Sequence, residues 1–102
     1  MTIGIVGGGQ LGRMLALAGY PLGLDFLILD RSADAPAAQL APALVGDLDD
    51  GALLRRLAAR SEVLTFDWEN VSVPALRAAA RGRARVSPPL NALATAQDRL
   101  LD

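Results

Sequence analysis

The stretch Thr2-Ile3-Gly4-Ile5-Val6-Gly7-Gly8-Gly9-Gln10-Leu11-Gly12 decides the fold. Thr2 to Val6 is short, apolar and β-branched, with glycines on its far side, which predicts a buried parallel strand. Gly7 to Gly12 then fit the pattern G-x-G-x-x-G, placed between a strand and a helix. From Gln10 to Gly19, Leu11, Met14, Leu15 and Ala18 recur at helical spacing. Gly19, Pro21 and Gly23 end that helix and turn the chain. Asp25 to Asp30 is a second buried strand. A strand, a glycine turn, a helix and a second strand make the opening unit of a Rossmann-like α/β domain.

The pattern continues outward. Arg31 to Pro42 is rich in Ala, Pro, Ser and Asp and reads as a loop with one turn of helix. Ala43 to Gly46 is a weak third strand. Asp49-Asp50 opens a helix with favourable charge at its N-terminus, and Leu53, Leu54, Leu57 and Ala58 form its buried stripe. Glu62 to Phe66 is a fourth strand. Val73 to Arg81 is a helix with Ala75, Leu76 and Ala79 inward. Arg83 to Val86 is a short fifth strand stopped by Pro88-Pro89, and Asn91 to Leu101 is the last helix. Strands alternate with helices, so the expected fold is α/β with a parallel sheet of about five strands and helices in layers on its faces.

Composition narrows the chemistry. At 102 residues the chain is one domain, and its 52% apolar content excludes disorder. It has no histidine and no cysteine, which removes the commonest general base, the commonest metal ligand and any thiolate or disulfide. The ten basic residues are all arginine, and the net charge of −1 creates no field that would gather nucleic acid. No apolar run approaches the ~20 residues of a membrane span, and the N-terminus lacks the basic start of an export signal. The expectation is a soluble cytoplasmic domain with no membrane or nucleic-acid partner and no metal site.

The glycine turn is the first candidate site. Glycines let the backbone turn tightly and approach a ligand, and the first N–H groups of the following helix point at whatever sits there. Read alone, the motif suggests NAD or FAD, with Asp30 at the end of the second strand as the acid for a ribose hydroxyl. The bland alternative is a turn used solely for close packing of helix on strand.

The second candidate is Thr65-Phe66-Asp67-Trp68-Glu69-Asn70. In an open parallel sheet, ligands collect beyond the carboxyl ends of the strands. Asp67 and Glu69 fall just past the fourth strand, which together with the first should flank the switch point. Two carboxylates beside the turn would repel a pyrophosphate and suit a ligand with donors, such as an amine or hydroxyls. The bland alternative is a helix cap with one solvated acid.

These segments together carry a resemblance. Ile5 to Met14 is similar to the start of the 5-(carboxyamino)imidazole ribonucleotide synthase family, which belongs to the ATP-grasp ligases. Ala33 to Ala37 resembles that family's loop after the second strand. Leu64 to Val71 resembles its T-x-E-x-E-N-V segment, and Ala96 to Leu100 its A-Q-D-R-L segment. Asp67 stands where the family has glutamate, which shortens the reach by one methylene.

The resemblance implies a Rossmann-like, pre-ATP-grasp domain on the substrate side of a carboxylating ligase of purine biosynthesis. That reaction joins aminoimidazole ribonucleotide and bicarbonate at the expense of ATP, with magnesium in the full-length enzyme and a homodimer as its assembly. Gly9, Gln10, Leu11, Asp67 and Glu69 would meet the ribonucleotide, and Arg99 would reach toward ATP. The expected division is residues 1–88 as the substrate-side domain and 89–102 as a terminal helix leading toward the ATP-grasp domains. No catalytic residue is expected within this chain, which by itself should be inactive. Its last helix lacks a closing glycine or proline, as in a chain that continues. Two rivals stand beside this reading. One is a dinucleotide-binding module of an oxidoreductase using Gly7 to Gly12 and Asp30. The other is a non-catalytic module that dimerises through its last helix.

Overall fold

A computed structural model describes residues 1–66 and 71–101. The chain forms β1 (Thr2–Val6), α1 (Gln10–Gly19), β2 (Asp25–Asp30), β3 (Ala43–Val45), α2 (Gly51–Ala59), β4 (Val63–Phe66), α3 (Val73–Ala80), β5 (Arg85–Val86) and α4 (Ala92–Leu101). The five strands make one parallel sheet in the order β3-β2-β1-β4-β5. The chain builds outward from β1 through β2 to β3, then returns to lay β4 on the other side of β1. That reversal between β1 and β4 is the switch point where such sheets bind ligands. Register there pairs Ile5 with Thr65 and Val6 with Phe66.

Alternation along the strands feeds two cores, because successive side chains leave a strand on opposite faces. Ile3, Ile5, Phe26, Ile28 and Val63 face α1 and α4, packing on Leu15, Ala16 and Ala96. Val6, Leu27, Leu29, Leu64 and Phe66 face α2 and α3, packing on Leu54, Leu57 and Leu76. The result is the three-layer α/β architecture expected from the sequence.

Three local expectations need correction. In α1 the buried residues are Gly12, Leu15, Ala16 and Gly19, one position on from the apolar set Leu11, Met14, Leu15 and Ala18. Of the large residues, Leu11, Met14 and Leu17 stay 43%, 64% and 54% exposed. The cause is close packing: a Cβ on Gly19 would stand 2.3 Å from the Phe26 ring, so the face that lies on the sheet is the one with the smallest side chains. In α3, Ala75 is exposed and Ala80 is buried instead. Finally, β5 is shorter than Arg83 to Val86. The Arg83 and Ala84 N–H groups both donate to the Ala80 carbonyl oxygen, at 2.8 and 3.0 Å, and so close the turn after α3.

Candidate functional site

The glycine turn is built by three demands on its backbone. Gly7 has φ +99°, which only glycine adopts without strain, and its N–H donates to the Leu29 carbonyl oxygen at 2.8 Å. Gly8 is hemmed in: a Cβ there would lie 2.8 Å from Ile28 Cγ2 and 3.2 Å from Ala35 Cβ. Its N–H donates to Asp30 Oδ2 at 2.7 Å, and its carbonyl accepts the Ala37 N–H at 2.9 Å. Gly9 differs. It has ordinary extended dihedrals, and a Cβ on it would meet nothing within 4 Å. The fold does not need glycine at that position, whereas a ligand approaching the backbone would.

The loop after β2 clamps onto this turn. A short 3₁₀ turn at Pro36–Gln39 sits against α1, where Arg13 Nη1 donates to the Pro36 carbonyl oxygen at 3.3 Å and to Gln39 Oε1 at 3.2 Å. Asp30 is occupied on both oxygens, Oδ2 with Gly8 and Oδ1 with the Ser32 N–H at 3.0 Å. The acid read from sequence as a ribose holder in the dinucleotide alternative is therefore a brace of the turn.

The helix that follows has a bare start. Gly9, the N-cap of α1, supplies no side-chain cap, and no acidic residue lies in the first turn. By contrast, Asp50 caps α2 through the Ala52 and Leu53 N–H groups at 2.9 and 3.2 Å, and Ser72 caps α3 through the Ala75 N–H at 3.4 Å. The first N–H groups of α1, with the partial positive charge of the helix behind them, open onto a cleft of about 80 Å³ at the switch point. Ile5 and Leu15 give this cleft apolar walls, and Gly9, Gln10 and Leu11 form its rim.

The sequence-predicted residues divide as follows. Gly9, Gln10 and Leu11 line the cleft together. Asp67 and Glu69 lie outside the described residues. Arg99 lines a different depression, of about 300 Å³, with Gly82, Arg83, Ala84 and Arg85. Reading the sequence missed Thr65, a fully buried residue of the cleft wall whose Oγ1 has no hydrogen-bond partner among the described residues. The available signal was one polar residue inside the otherwise apolar run Val63 to Phe66. Among the described residues, no group of three or more acidic, histidine or cysteine side chains could hold a metal ion, and no helix is long and apolar enough to cross a membrane.

Comparison with known proteins shows the family of the chain. Residues 1–97 match the family model of the ribonucleotide synthetase preATP-grasp domain. The N5-carboxyaminoimidazole ribonucleotide synthase of Brucella melitensis is 48% identical over 102 residues, which cover 99% of this chain and 28% of that relative. The crystal structure of N5-carboxyaminoimidazole ribonucleotide synthetase from Thermus thermophilus superposes with a TM-score of 0.75 at 53% identity, over 96% of this chain and 27% of that one. The Staphylococcus aureus N5-carboxyaminoimidazole synthetase complexed with ADP superposes with a TM-score of 0.76 at 34% identity, over 83% of this chain and 23% of that one. The chain thus spans about a quarter of the length of such relatives. With a family model that runs through nearly all of its residues, the chain belongs to the ribonucleotide synthetase preATP-grasp domain family.

Proposed function

We infer that this chain is the N-terminal, substrate-side domain of an ATP-dependent carboxylating ligase. The reaction takes aminoimidazole ribonucleotide, bicarbonate and ATP to 5-(carboxyamino)imidazole ribonucleotide. Relatives carrying the name of that synthase, one of them in complex with ADP, support the reaction and its use of ATP. Magnesium accompanies ATP in the complete ligase, and residues 89–102 lead toward the domains that hold the nucleotide. The complete ligase is a homodimer, and the 102-residue chain by itself is inactive.

The observation that carries this reading is the division of labour at the turn. Asp30 and the loop after β2 are spent on holding Gly8, while Gly9 and the uncapped start of α1 stay open to the cleft. A dinucleotide needs the acid at the end of β2 for its ribose. A ribonucleotide bound between β1 and β4 needs only the helix start for its acceptor oxygens and the carboxylates of Asp67 and Glu69 for its donors. In the chemical step ATP phosphorylates bicarbonate to carboxyphosphate with release of ADP; the exocyclic amine nitrogen attacks its carbonyl carbon, phosphate leaves, and the amine gives up a proton as the N–C bond forms. Gln10, Leu11, Asp67 and Glu69 position that amine, and Arg99 reaches toward ATP.

Heteronuclear NMR titration tests the reading. Aminoimidazole ribonucleotide is expected to shift the amides of Gly7 to Gly12 saturably. Saturable binding of NAD at the same amides, with no response to the ribonucleotide, overturns it.

A further inference from the structure

Every residue of β4 is buried, and in Val63-Leu64-Thr65-Phe66 only the threonine is polar. Its Oγ1 is sealed from solvent and lacks a partner among the described residues. A buried hydroxyl without a hydrogen bond costs stability that a valine of the same shape would not. The register places the cost in one spot. Thr65 lies opposite Ile5, so both side chains leave the sheet on the α1 face and meet the cleft beside Gly12 and Leu15.

We propose that Thr65 is a ligand-contacting residue, whose hydroxyl hydrogen-bonds the polar edge of the imidazole ring of the bound ribonucleotide. The inference rests on the ribonucleotide reading of the cleft. Ile5 and Leu15 supply apolar walls for a flat ring, and a hydroxyl both donates and accepts, so it can meet a ring nitrogen or an amine. The volume of about 80 Å³ suits a single ring; a drug-sized ligand takes roughly 300 Å³ or more. Rotation about χ1 moves the hydroxyl between staggered positions on the cleft side of the strand. Bound ligand then supplies the partner that the fold withholds.

Two variants, Thr65→Val and Thr65→Ser, test this on the 102-residue chain. Thermal melts without ligand come first, then NMR titrations with aminoimidazole ribonucleotide and with ribose 5-phosphate. Thr65→Val is expected to melt at or above the wild type and to bind the ribonucleotide about five- to tenfold more weakly. Thr65→Ser loses a buried methyl and melts lower, yet keeps most of the affinity. Ribose 5-phosphate, which lacks the ring, binds the wild type and Thr65→Val alike. A Thr65→Val protein that melts clearly below the wild type, or fails to fold, overturns the proposal, because the hydroxyl would then have a structural partner. Equal ribonucleotide affinity in the wild type and Thr65→Val overturns it while leaving the site reading intact. An equal loss toward ribose 5-phosphate overturns the assignment to the ring. A wild type with no saturable shift at Gly7 to Gly12 overturns both the proposal and the site reading.

Discussion

The carboxylate of Asp30 accepts the N–H of Gly8 at 2.7 Å, so the end of β2 holds the turn that follows β1. Hydrogen bonds to a charged acceptor contribute about 1.5–3 kcal/mol each. Asp30→Ala should therefore lower stability by about that much in chemical denaturation. It should also broaden the amide signals of Gly7 to Gly9. Asp30→Asn keeps an acceptor oxygen and should cost less.

Gly8 and Gly9 are neighbours with opposite sensitivities. An alanine at Gly8 meets Ile28 Cγ2 at 2.8 Å, and Ile28 is fully buried and cannot move aside. Gly8→Ala should cost about 1–3 kcal/mol, as overpacked sites do. Gly9→Ala points into open space and should change stability by less than about 1 kcal/mol, yet it narrows the approach to the start of α1. Paired denaturation curves and ligand titrations separate the two; a Gly9→Ala chain that keeps full affinity argues that no ligand approaches there.

Tyr20 is the only tyrosine, so its titration reads as a single curve. Desolvation by burial, and then the nearby Asp25 carboxylate, raise its pKa above the usual value of 10.0. Its hydroxyl donates to the Leu40 carbonyl oxygen at 2.8 Å, and its ring meets Phe26 edge-on. The folded chain thus holds the phenolic proton more tightly than the unfolded chain does. The stabilisation is complete below the unfolded value and is lost as pH rises through the folded one. Tyrosinate absorbance should show a midpoint above 10.0 in the native chain, moving down on unfolding and on Asp25→Asn. A native midpoint at or below the unfolded one refutes the assignment.

The outer face of α1 presents Leu11, Met14 and Leu17, all well exposed. Met14 and Leu17 are both more than half exposed, so Met14→Lys with Leu17→Lys should change stability by no more than about 0.5 kcal/mol. Binding of a hydrophobic dye should fall, because an exposed apolar stripe is what such dyes and partner surfaces find. A large loss in melting temperature would mean that this face is packed in the folded chain.

Much of the architecture was legible because its signals are local. The β-branched run Thr2 to Val6, the glycines after it, the acidic start at Asp49-Asp50 and the leucine stripe of α2 each act within a turn or two of chain. Those signals predicted the order of strands and helices and the place of the switch point. They misjudged α1, where close packing of Gly19 on the Phe26 ring, and of Gly12 on Ile5 and Ala37, outweighs apolar periodicity.

The sequence by itself determined the alternation of elements and the glycine turn, since both follow from short-range spacing, and the family resemblance singled out Gln10 and Leu11 within that turn. Tertiary structure alone decided that Asp30 braces Gly8 and that Arg99 lies with Arg83 and Arg85 instead of in the cleft. It also decided that Thr65 stands opposite Ile5, with no partner for its hydroxyl among the described residues. Each of those facts joins residues far apart in the chain. Which pairs meet is set by strand order and register, through the burial of two opposite sheet faces, and no local pattern encodes that choice.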